Sequence, residues 1–405
     1  MELNMLSLFS GIGAFEKSLE NIGIKINLIN FCEIDKYAET AYCAIHKVNK
    51  KLNLNDISKI DIGKLPTEGI DIITHGSPCQ DFSMAGLQAG GDIGTGTRSS
   101  LMWNSVAIIE HVKPRYVLWE NVKNVLSKKH RHNFDKYLKS LEKLGYNNYY
   151  QVLNAKDYGV PQNRERIYVV SIKKDIDKGT FKFPEKEKLN IRLKDILQSD
   201  VDEKYFLKDE QIKKIQNSTY MQARRRIQEK DWCDTLCARD WKDPKCVRIG
   251  GLYDTEKRTH QAGSIYNKEG LCPTLNTMSG GNRQPFVIDD SYVSKKYKKF
   301  YEENGYVPEM FNPYNESEVQ NIAPTQTANC GSITSSATVL KKDNNSSFRI
   351  RKLTPREYWR LMGFSDQDFN AAQETGISDS QLYKEAGNSI VVPVLEKIFT
   401  NLFLE

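Results

Sequence analysis

The chain has 405 residues, a net charge of +6, and 39% hydrophobic and 27% charged residues, which favours a large and a small domain with an apolar core. No stretch approaches the roughly 18 consecutive apolar residues of a membrane span, and Met1–Ser10 lacks the basic start of a signal peptide, so we expect a cytosolic protein without membrane contacts. The net charge is too mild to indicate a nucleic-acid partner by itself.

Residues 1–172 alternate short apolar runs with helical patterns. Strands are predicted at Met5–Phe9, Ile26–Cys32, Ile70–Thr74, Tyr116–Trp119, Tyr149–Leu153 and Ile167–Ile172. Helices are predicted after Gly13, at Lys36–His46, from Leu101 to Val112 and at Phe134–Leu144. This alternation predicts an α/β fold in which a parallel sheet carries helices on both faces and binds its ligands at the carboxyl ends of the strands.

From about Pro184 to Ser347 the chain is polar and rich in turns. Three short threonine-containing segments each precede an apolar run: Asp234–Leu236 before Cys246–Ile249, Pro273–Leu275 before Phe286–Ile288, and Pro324–Gln326 before Ala337–Leu340. This pattern predicts hairpins in a small, irregular, β-rich domain. We therefore divide the chain into a large domain at 1–184, a small domain at 185–347 and a C-terminal segment at 348–405.

The C-terminal segment has helical signals. Thr354, Pro355 and Glu357 form a predicted capping box with proline at the first helical position. Gly363 is the expected end of that helix. The last apolar helix, within Ser389–Phe403, is long enough to pack against the first domain.

The chain has eight cysteines. We expect Cys32 and Cys43 to be core residues, and no disulfides in a reducing compartment. Four cysteines fall close together but lack paired CxxC spacing and a histidine at ligand distance: Cys233, Cys237, Cys246 and Cys272. We therefore expect no metal site, and the role of this cluster is open.

Candidate cofactor residues follow the first strands. Gly11 and Gly13 allow a sharp turn and a close approach of the backbone to a ligand, although an ordinary tight turn has the same pattern. Glu33 ends the second strand, where an acid can hold ribose hydroxyls, and Asp56 could accept a hydrogen bond from an adenine amino group. Each acid alone also fits a solvated loop carboxylate. Together these residues indicate a nucleoside-bearing cofactor.

A loop after the third strand contains a candidate nucleophile. Gly76–Gln80 puts Cys79 at the ligand-binding edge of the sheet, and Pro78 fixes the backbone before it. A buried structural cysteine is the alternative. The glycine-rich stretch Gly86–Ser99 is expected to close over a ligand, with Arg98 meeting a phosphate; a plain surface loop is the alternative.

Two further groups are candidates for acid and cationic roles. Glu120 follows an apolar run, so partial desolvation would let it hold a proton near neutral pH; a helix cap or a salt-bridged acid is the alternative. With a two-residue period, Gln162, Arg164 and Arg166 face one side, which suits an oxygen-rich ligand or a carboxylate. A surface charge ladder with Glu165 is the alternative there.

These pieces stand in the order seen in C5-cytosine-specific DNA methyltransferases: Phe9–Gly13, Pro78–Gln80, Glu120–Val122, Gln162–Arg166, Arg351–Phe364 and Gly387–Ser389. The chain resembles that family, of bacterial or phage type, over nearly its full length. The resemblance implies a Rossmann-like sheet that binds S-adenosylmethionine (SAM), and a smaller β-rich target-recognition domain at 185–347. It implies no metal.

The resemblance also implies the residues of the reaction. Cys79 would add to carbon 6 of a cytosine flipped out of duplex DNA, so that carbon 5 can attack the SAM methyl group. Glu120 would hold N3 and the exocyclic amine, and Arg166 would contact O2. Arg164 would help to position the nucleophile loop or Glu120.

Cofactor and DNA contacts carry over in the same way. Glu33 would bind the ribose, Asp56 the adenine amine, and Ile34 and Ile57 would sandwich the adenine. The remaining cofactor residues are Phe9, Ser10, Gly11, Gly13, Pro78 and Asn388, with Ser10 where the family often has alanine. Candidate DNA contacts are Arg98, Arg224, Arg225, Arg226, Arg239, Arg283 and Thr325.

Three alternatives stay open at this point. A methyltransferase that acts on tRNA would use the same motifs, although a recognition region this large favours duplex DNA. A silent DNA-binding relative would keep the fold, and a nicotinamide oxidoreductase would share Gly11, Gly13 and Glu33. We expect a monomer on double-stranded DNA, in the cytoplasm of a bacterial or phage-infected cell. The target sequence, and whether a restriction endonuclease acts alongside, stay open.

Overall fold

The computed structural model describes residues 1–78, 98–206 and 349–404, together with six short strands between 248 and 341 and residue 303. For the strands from 248 to 350, only the backbone is described. No helix in these ranges combines the length and the apolar character that crossing a membrane would require.

A six-stranded sheet organises the first part of the chain, in the order β2-β1-β3-β4-β6-β5. Its strands are β1 (Glu2–Leu8), β2 (Lys25–Cys32), β3 (Ile72–His75), β4 (Tyr116–Val122), β5 (Tyr146–Asn154) and β6 (Glu165–Lys173). Strands β2, β1, β3 and β4 run parallel.

The predicted parallel sheet has one exception, β6, which pairs antiparallel with both β4 and β5. The physical reason lies in the connection from β5 to β6, which contains only the 3₁₀ turn Ala155–Asp157. A parallel pairing needs a crossover of about a dozen residues or more, usually a helix. The segment between the two strands lacks a helical pattern, and this was visible in the sequence.

Helices cover both faces of this sheet. The first four are α1 (Ala14–Asn21), α2 (Lys36–His46), α3 (Met102–Val112) and α4 (Arg131–Lys143). The later ones are α5 (Leu193–Ile196), α6 (Pro355–Leu361), α7 (Asp366–Glu374), α8 (Asp379–Asn388) and α9 (Val392–Phe403). Helix α2 has the predicted bounds, the capping box at Thr354 is present, and Gly363 follows α6 with a positive φ of 84°.

Alternation along β1 shows how the sheet separates two cores. Leu3 and Met5 pack in one apolar cluster with α1 and the C-terminal helices, whereas Leu6 and Leu8 pack in the other with α3 and α4. Helix α9 therefore buries its apolar face against the first part of the chain, and Lys17 of α1 pairs with Asp368 of α7 at 2.8 Å. The carboxyl ends of β1 to β4 are left at one edge of the sheet.

Short strands occur in the region predicted to be β-rich. A four-stranded sheet contains β7 (Arg248–Gly251), β8 (Ser264–Tyr266), β9 (Phe286–Asp289) and β13 (Arg349–Lys352), and a three-stranded sheet contains β10 (Met310–Asn312), β11 (Ser317–Glu318) and β12 (Leu340–Lys341). The division of the chain into a large and a small domain stays a prediction.

Candidate active site

The loop after β1 has an unusual backbone. Phe9, Gly11 and Gly13 have positive φ angles of 53°, 55° and 82°. Ser10 anchors the loop between two strands, because its amide donates to the carbonyl of Cys32 at 3.1 Å and its hydroxyl to that of Ser7 at 3.1 Å. A Cβ on Gly11 would meet nothing within 4 Å, so the space beside that residue is open.

Glu33 lies directly after β2 and faces this loop. Its carboxylate accepts hydrogen bonds from the amides of Gly11 and Asp35, each at 2.8 Å. Burial raises the pKa of Glu33, and these two hydrogen bonds only partly oppose the shift. The next side chain, Ile34, is 72% exposed. A polar and an apolar side chain therefore stand together at the end of β2.

Asp56 and Ile57 lie further along the same edge. Asp56 accepts hydrogen bonds from the amide and hydroxyl of Ser58, at 3.0 and 2.7 Å, and pairs with Lys59 at 3.3 Å. The hydrogen bonds from Ser58 lower the pKa of Asp56. Ile57 is buried. Asp56 thus also caps its own 3₁₀ turn, although a carboxylate has room for further donors.

The chain that leads to the predicted nucleophile is anchored through Ser77. The Ser77 hydroxyl accepts hydrogen bonds from Trp119 Nε1 at 3.0 Å and from Asn121 Nδ2 at 3.2 Å, and its carbonyl accepts from Asn121 Nδ2 at 3.0 Å. His75 stacks on Trp119 with ring centroids 6.0 Å apart, and burial lowers its pKa to about 3, so that ring is neutral. The side chains of Trp119 and Asn121 on β4 therefore hold Ser77, just before Pro78 and Cys79, in place.

Glu120 of β4 pairs with Arg166 of the neighbouring strand β6. Its Oε1 lies 3.1 Å from Nε of Arg166, and both side chains are largely buried. A Cβ on Gly76 would stand 3.8 Å from Oε2, so the nucleophile segment begins beside this carboxyl group. Burial raises the pKa of Glu120, while Arg166 and Arg164 lower it, and the net shift is upward. Burial of this kind favours the protonated form of a carboxyl group, which can donate a proton.

Arg164 reaches across to the C-terminal segment. Its guanidinium donates to the carbonyls of Gly387 at 3.2 Å and Ser389 at 2.8 Å, and the side chain is buried. These carbonyls flank Asn388, the exposed last residue of α8. Gln162 donates to the carbonyl of Leu361 at 2.8 Å. Gln162 and Arg164 thus contact the backbone of the C-terminal segment, whereas Arg166 contacts Glu120.

Helix α8 also touches the site through Lys384, which hydrogen-bonds Asp35, the N-cap of α2. The next residue, Glu385, is buried, and its Oε1 has no hydrogen-bond partner within the described ranges. Burial, together with Asp35 and Glu33, raises the pKa of Glu385 to about 8, against the effect of Lys384. The C-terminal segment therefore returns to the neighbourhood of Glu33.

Several predicted residues lie outside the described part of the chain, namely Cys79, Arg224, Arg225, Arg226, Arg239, Arg283, Thr325 and the cluster Cys233, Cys237, Cys246 and Cys272. Pro78 is described, and Arg98 begins a 3₁₀ turn in which only its backbone is described. Cys32 is buried, but Cys43 is only partly buried, contrary to the expectation of a core residue. Among the described residues, no group of three or more His, Cys, Asp and Glu side chains is arranged to hold a metal ion.

Sequence reasoning gave no role to Ser77, Asn121, Asp35 or Lys384. Ser77 and Asn121 stand inside recognised motifs, so adjacency to Cys79 and Glu120 was an available signal. Asp35 stands just before a helical pattern, which is a typical N-cap position. No local signal connects Lys384 to Asp35, because they lie 349 positions apart in the sequence.

Comparison with known proteins identifies the family. The family model for C-5 cytosine-specific DNA methylases matches residues 3–404. The orphan methyltransferase M.SPBetaI of Bacillus phage SPbeta is 34% identical over 99% of this chain and 97% of its own, and the type II methyltransferase M.HhaI of Haemophilus parahaemolyticus is 28% identical over 99% and 94%. The solved structure of Entamoeba histolytica methyltransferase EhMeth has a TM-score of 0.60 at 16% identity, covering 100% of this chain and 98% of that one, and shares the fold. The chain belongs to the C-5 cytosine-specific DNA methylase family.

Proposed function

We propose that this protein transfers a methyl group from SAM to carbon 5 of a flipped-out cytosine in one short duplex DNA sequence, through a covalent bond from Cys79 to carbon 6. The observation that carries the proposal is the pair of Glu120 and Arg166, 3.1 Å apart and largely buried beside Gly76. A cytosine presents N3, an exocyclic amine and O2 along one edge. A protonated carboxyl group next to a guanidinium matches that edge.

The residues at the carboxyl ends of β1 and β2 fit SAM. Glu33 is an anchored carboxylate suited to ribose hydroxyls, and the exposed Ile34 offers an apolar surface to an adenine. The open space beside Gly11 leaves room for SAM to approach the loop. The buried Oε1 of Glu385, without a partner in the described ranges, provides a further acceptor for an amino or hydroxyl group. We propose that Phe9, Ser10, Asp56, Ile57, Pro78 and Asn388 complete this pocket.

Bound SAM supplies an electrophilic methyl group. The thiolate of Cys79 forms a bond to carbon 6 of the cytosine, and Glu120 shares its proton with N3, which turns the ring into an enamine that is nucleophilic at carbon 5. Arg166 orients Glu120 and donates to O2, and Arg164 fixes the C-terminal backbone around Asn388. Carbon 5 then bonds to the methyl group, whose bond to the sulfur of SAM breaks. Loss of the carbon-5 proton to water expels Cys79 as a thiolate, and Glu120 regains the proton from N3. The base must leave the stack first, at a cost of a few kcal/mol.

We propose the division into a catalytic domain at 1–184, a target-recognition domain at 185–347 and a returning segment at 348–405. In this arrangement Arg98 and the arginines of the recognition domain contact phosphates or guanines of double-stranded DNA. One active site per chain, together with an asymmetric recognition domain, favours a monomer on DNA.

Bisulfite sequencing tests the proposed function. Plasmid DNA from a methylation-free host that expresses this chain is expected to show protected cytosines in one short sequence context, and none with Cys79→Ala. Purified Cys79→Ser is expected to bind SAM but not to methylate. If the wild-type chain binds SAM and protects no cytosine, an RNA substrate or a silent relative replaces the proposal. A competition assay between tRNA and duplex DNA separates these two.

Replacing Glu33 with glutamine is expected to weaken SAM binding about 10- to 100-fold, because an anchored anionic acceptor is lost. Isothermal titration of SAM into the purified variant measures this. Asp61→Asn is the matched control, since Asp61 is an exposed acid nearby that pairs only with Lys64 among the described residues; its affinity should change by less than about twofold. If the Glu33 variant and the wild type bind SAM with equal affinity, Glu33 does not contact SAM.

A further inference from the structure

His46 ends α2 and lies against the loop that contains Gly11 and Gly13. Its side chain is only 3% exposed. Ring atom Nε2 lies 3.2 Å from the carbonyl oxygen of Ile12, and Nδ1 lies 3.4 Å from Oε1 of Glu20 on α1. A neutral imidazole has one N–H, so both contacts are hydrogen bonds only when the ring is protonated.

The groups that face the ring favour the protonated form. Glu16 and Glu20 approach it from α1, and Tyr42 of α2 packs against it with ring centroids 4.8 Å apart. Glu16 is itself buried and accepts a hydrogen bond from the Tyr42 hydroxyl at 2.9 Å. Burial lowers the pKa of His46, but Glu20, Glu16 and the Ile12 carbonyl together raise it above its ordinary value of 6.5.

The approach of the ring explains the glycine at position 13. A Cβ on Gly13 would stand 2.0 Å from Nε2 of His46, so no other residue leaves room for the ring to reach Ile12. The loop has three residues with positive φ angles, and such a backbone persists only where its surroundings hold it. Glu33 holds the loop at the amide of Gly11, and His46 holds it at the carbonyl of Ile12.

We propose that His46, as an imidazolium, is a positioning residue that holds the Gly11–Gly13 loop in its cofactor-binding shape, so that SAM affinity depends on the protonation of His46. This inference rests on the proposed function, because it assigns SAM to that loop. Because the protonated form of His46 favours the ordered Gly11–Gly13 loop, a ligand that needs this ordered loop binds more tightly when His46 is protonated. SAM affinity therefore falls as the pH rises through the pKa of His46, which lies above 6.5.

Isothermal titration of SAM between pH 6 and pH 9 tests this with three variants. His46→Leu is expected to bind SAM about tenfold more weakly at pH 7, the factor for one lost charge-assisted hydrogen bond. His46→Gln keeps a donor for Ile12 but cannot pair with Glu20 as a cation, so its affinity recovers in part, and its pH profile loses the contribution of His46 while that of Glu385 remains. Glu20→Gln keeps an acceptor without charge and moves the pH midpoint to lower pH. The exposed neighbour Lys47 provides the control, since Lys47→Gln should behave as the wild type does.

Two measurements on the SAM-free chain separate this inference from the proposed function. The His46 ring signal in NMR should titrate above pH 6.5 and lower in Glu20→Gln, and the Gly13 amide should exchange faster in His46→Leu. If the wild type does not bind SAM, the proposed function fails, and the exchange result alone decides the positioning role. Unchanged Gly13 exchange, or unchanged SAM affinity and pH profile in His46→Leu and His46→Gln, overturns the inference. If His46→Leu does not fold, His46→Gln and Glu20→Gln decide.

Discussion

Replacing Glu120 with glutamine is expected to lower the single-turnover rate of methyl transfer by about 100-fold or more, because the amide cannot supply a proton to N3 of the cytosine. The amide keeps the shape of the side chain and can still accept from Arg166, so folding and SAM affinity should be preserved. Transfer of tritiated methyl groups to duplex DNA, at saturating enzyme, measures the rate.

Glu165→Gln is the matched control for this experiment. Glu165 begins β6 one residue before Arg166, but its carboxylate is 43% exposed and pairs with Lys123 at 3.0 Å. Loss of an exposed ion pair changes little, so the rate should stay within about twofold of the wild type. A Glu120 variant as active as this control would show that the buried carboxyl group takes no part in the reaction.

The pH dependence of the same rate gives a second readout. Because burial raises the pKa of Glu120 more than Arg166 and Arg164 lower it, the acid form persists to higher pH than in an exposed glutamic acid. The rate should therefore fall on the alkaline side as Glu120 loses its proton, and on the acid side as Cys79 gains one. In Glu120→Gln, only the acid limb should survive. An alkaline limb that remains in the variant would assign it to another group.

Local signals predicted the elements of this fold well, and long-range contacts were invisible to them. The bounds of α2 and the capping box at Thr354 follow from helical periodicity and side-chain chemistry within a few residues. The antiparallel direction of β6 follows from its short connection to β5, whereas its position next to β4 depends on a long-range pairing that no local signal shows.

The candidate site likewise contains residues that local patterns predicted and long-range contacts that they did not. Glu120 and Arg166 were predicted because each follows a recognisable pattern at the end or start of a strand, and they meet at 3.1 Å. The contact between Arg164 and Ser389 joins residues 225 positions apart and consists of a side chain and a backbone carbonyl. No residue type is needed at the accepting position of such a bond, so a single sequence carries no trace of it.

Replacing Arg351 with methionine is expected to destabilise the protein by about 3–5 kcal/mol, the range for removing one partner of a buried ion pair. Arg351 of β13 and Glu357 of α6 form two hydrogen bonds, at 2.7 and 2.8 Å, and their side chains are 1% and 0% exposed. Among the described residues, the variant leaves Glu357 with the amides of Thr354 and Gln198, each at 2.8 Å. Urea unfolding, followed through the buried Trp359 of the same helix, measures the loss.

Arg356→Met is the control. Arg356 lies on α6, next to Glu357, but pairs with Asp366 near the surface at 3.5 Å. Its effect should be about 1 kcal/mol or less. The double variant Arg351→Met, Glu357→Met removes both charges and leaves neither one buried without its partner. Its loss in the free energy of unfolding should therefore be smaller than the sum of the losses of the two single variants by about 1 kcal/mol or more. Strand β13 pairs with β9 and leads directly into α6, so this ion pair joins the four-stranded sheet to the C-terminal helices. A loss below about 1 kcal/mol in Arg351→Met would mean that backbone pairing and apolar packing suffice for this junction.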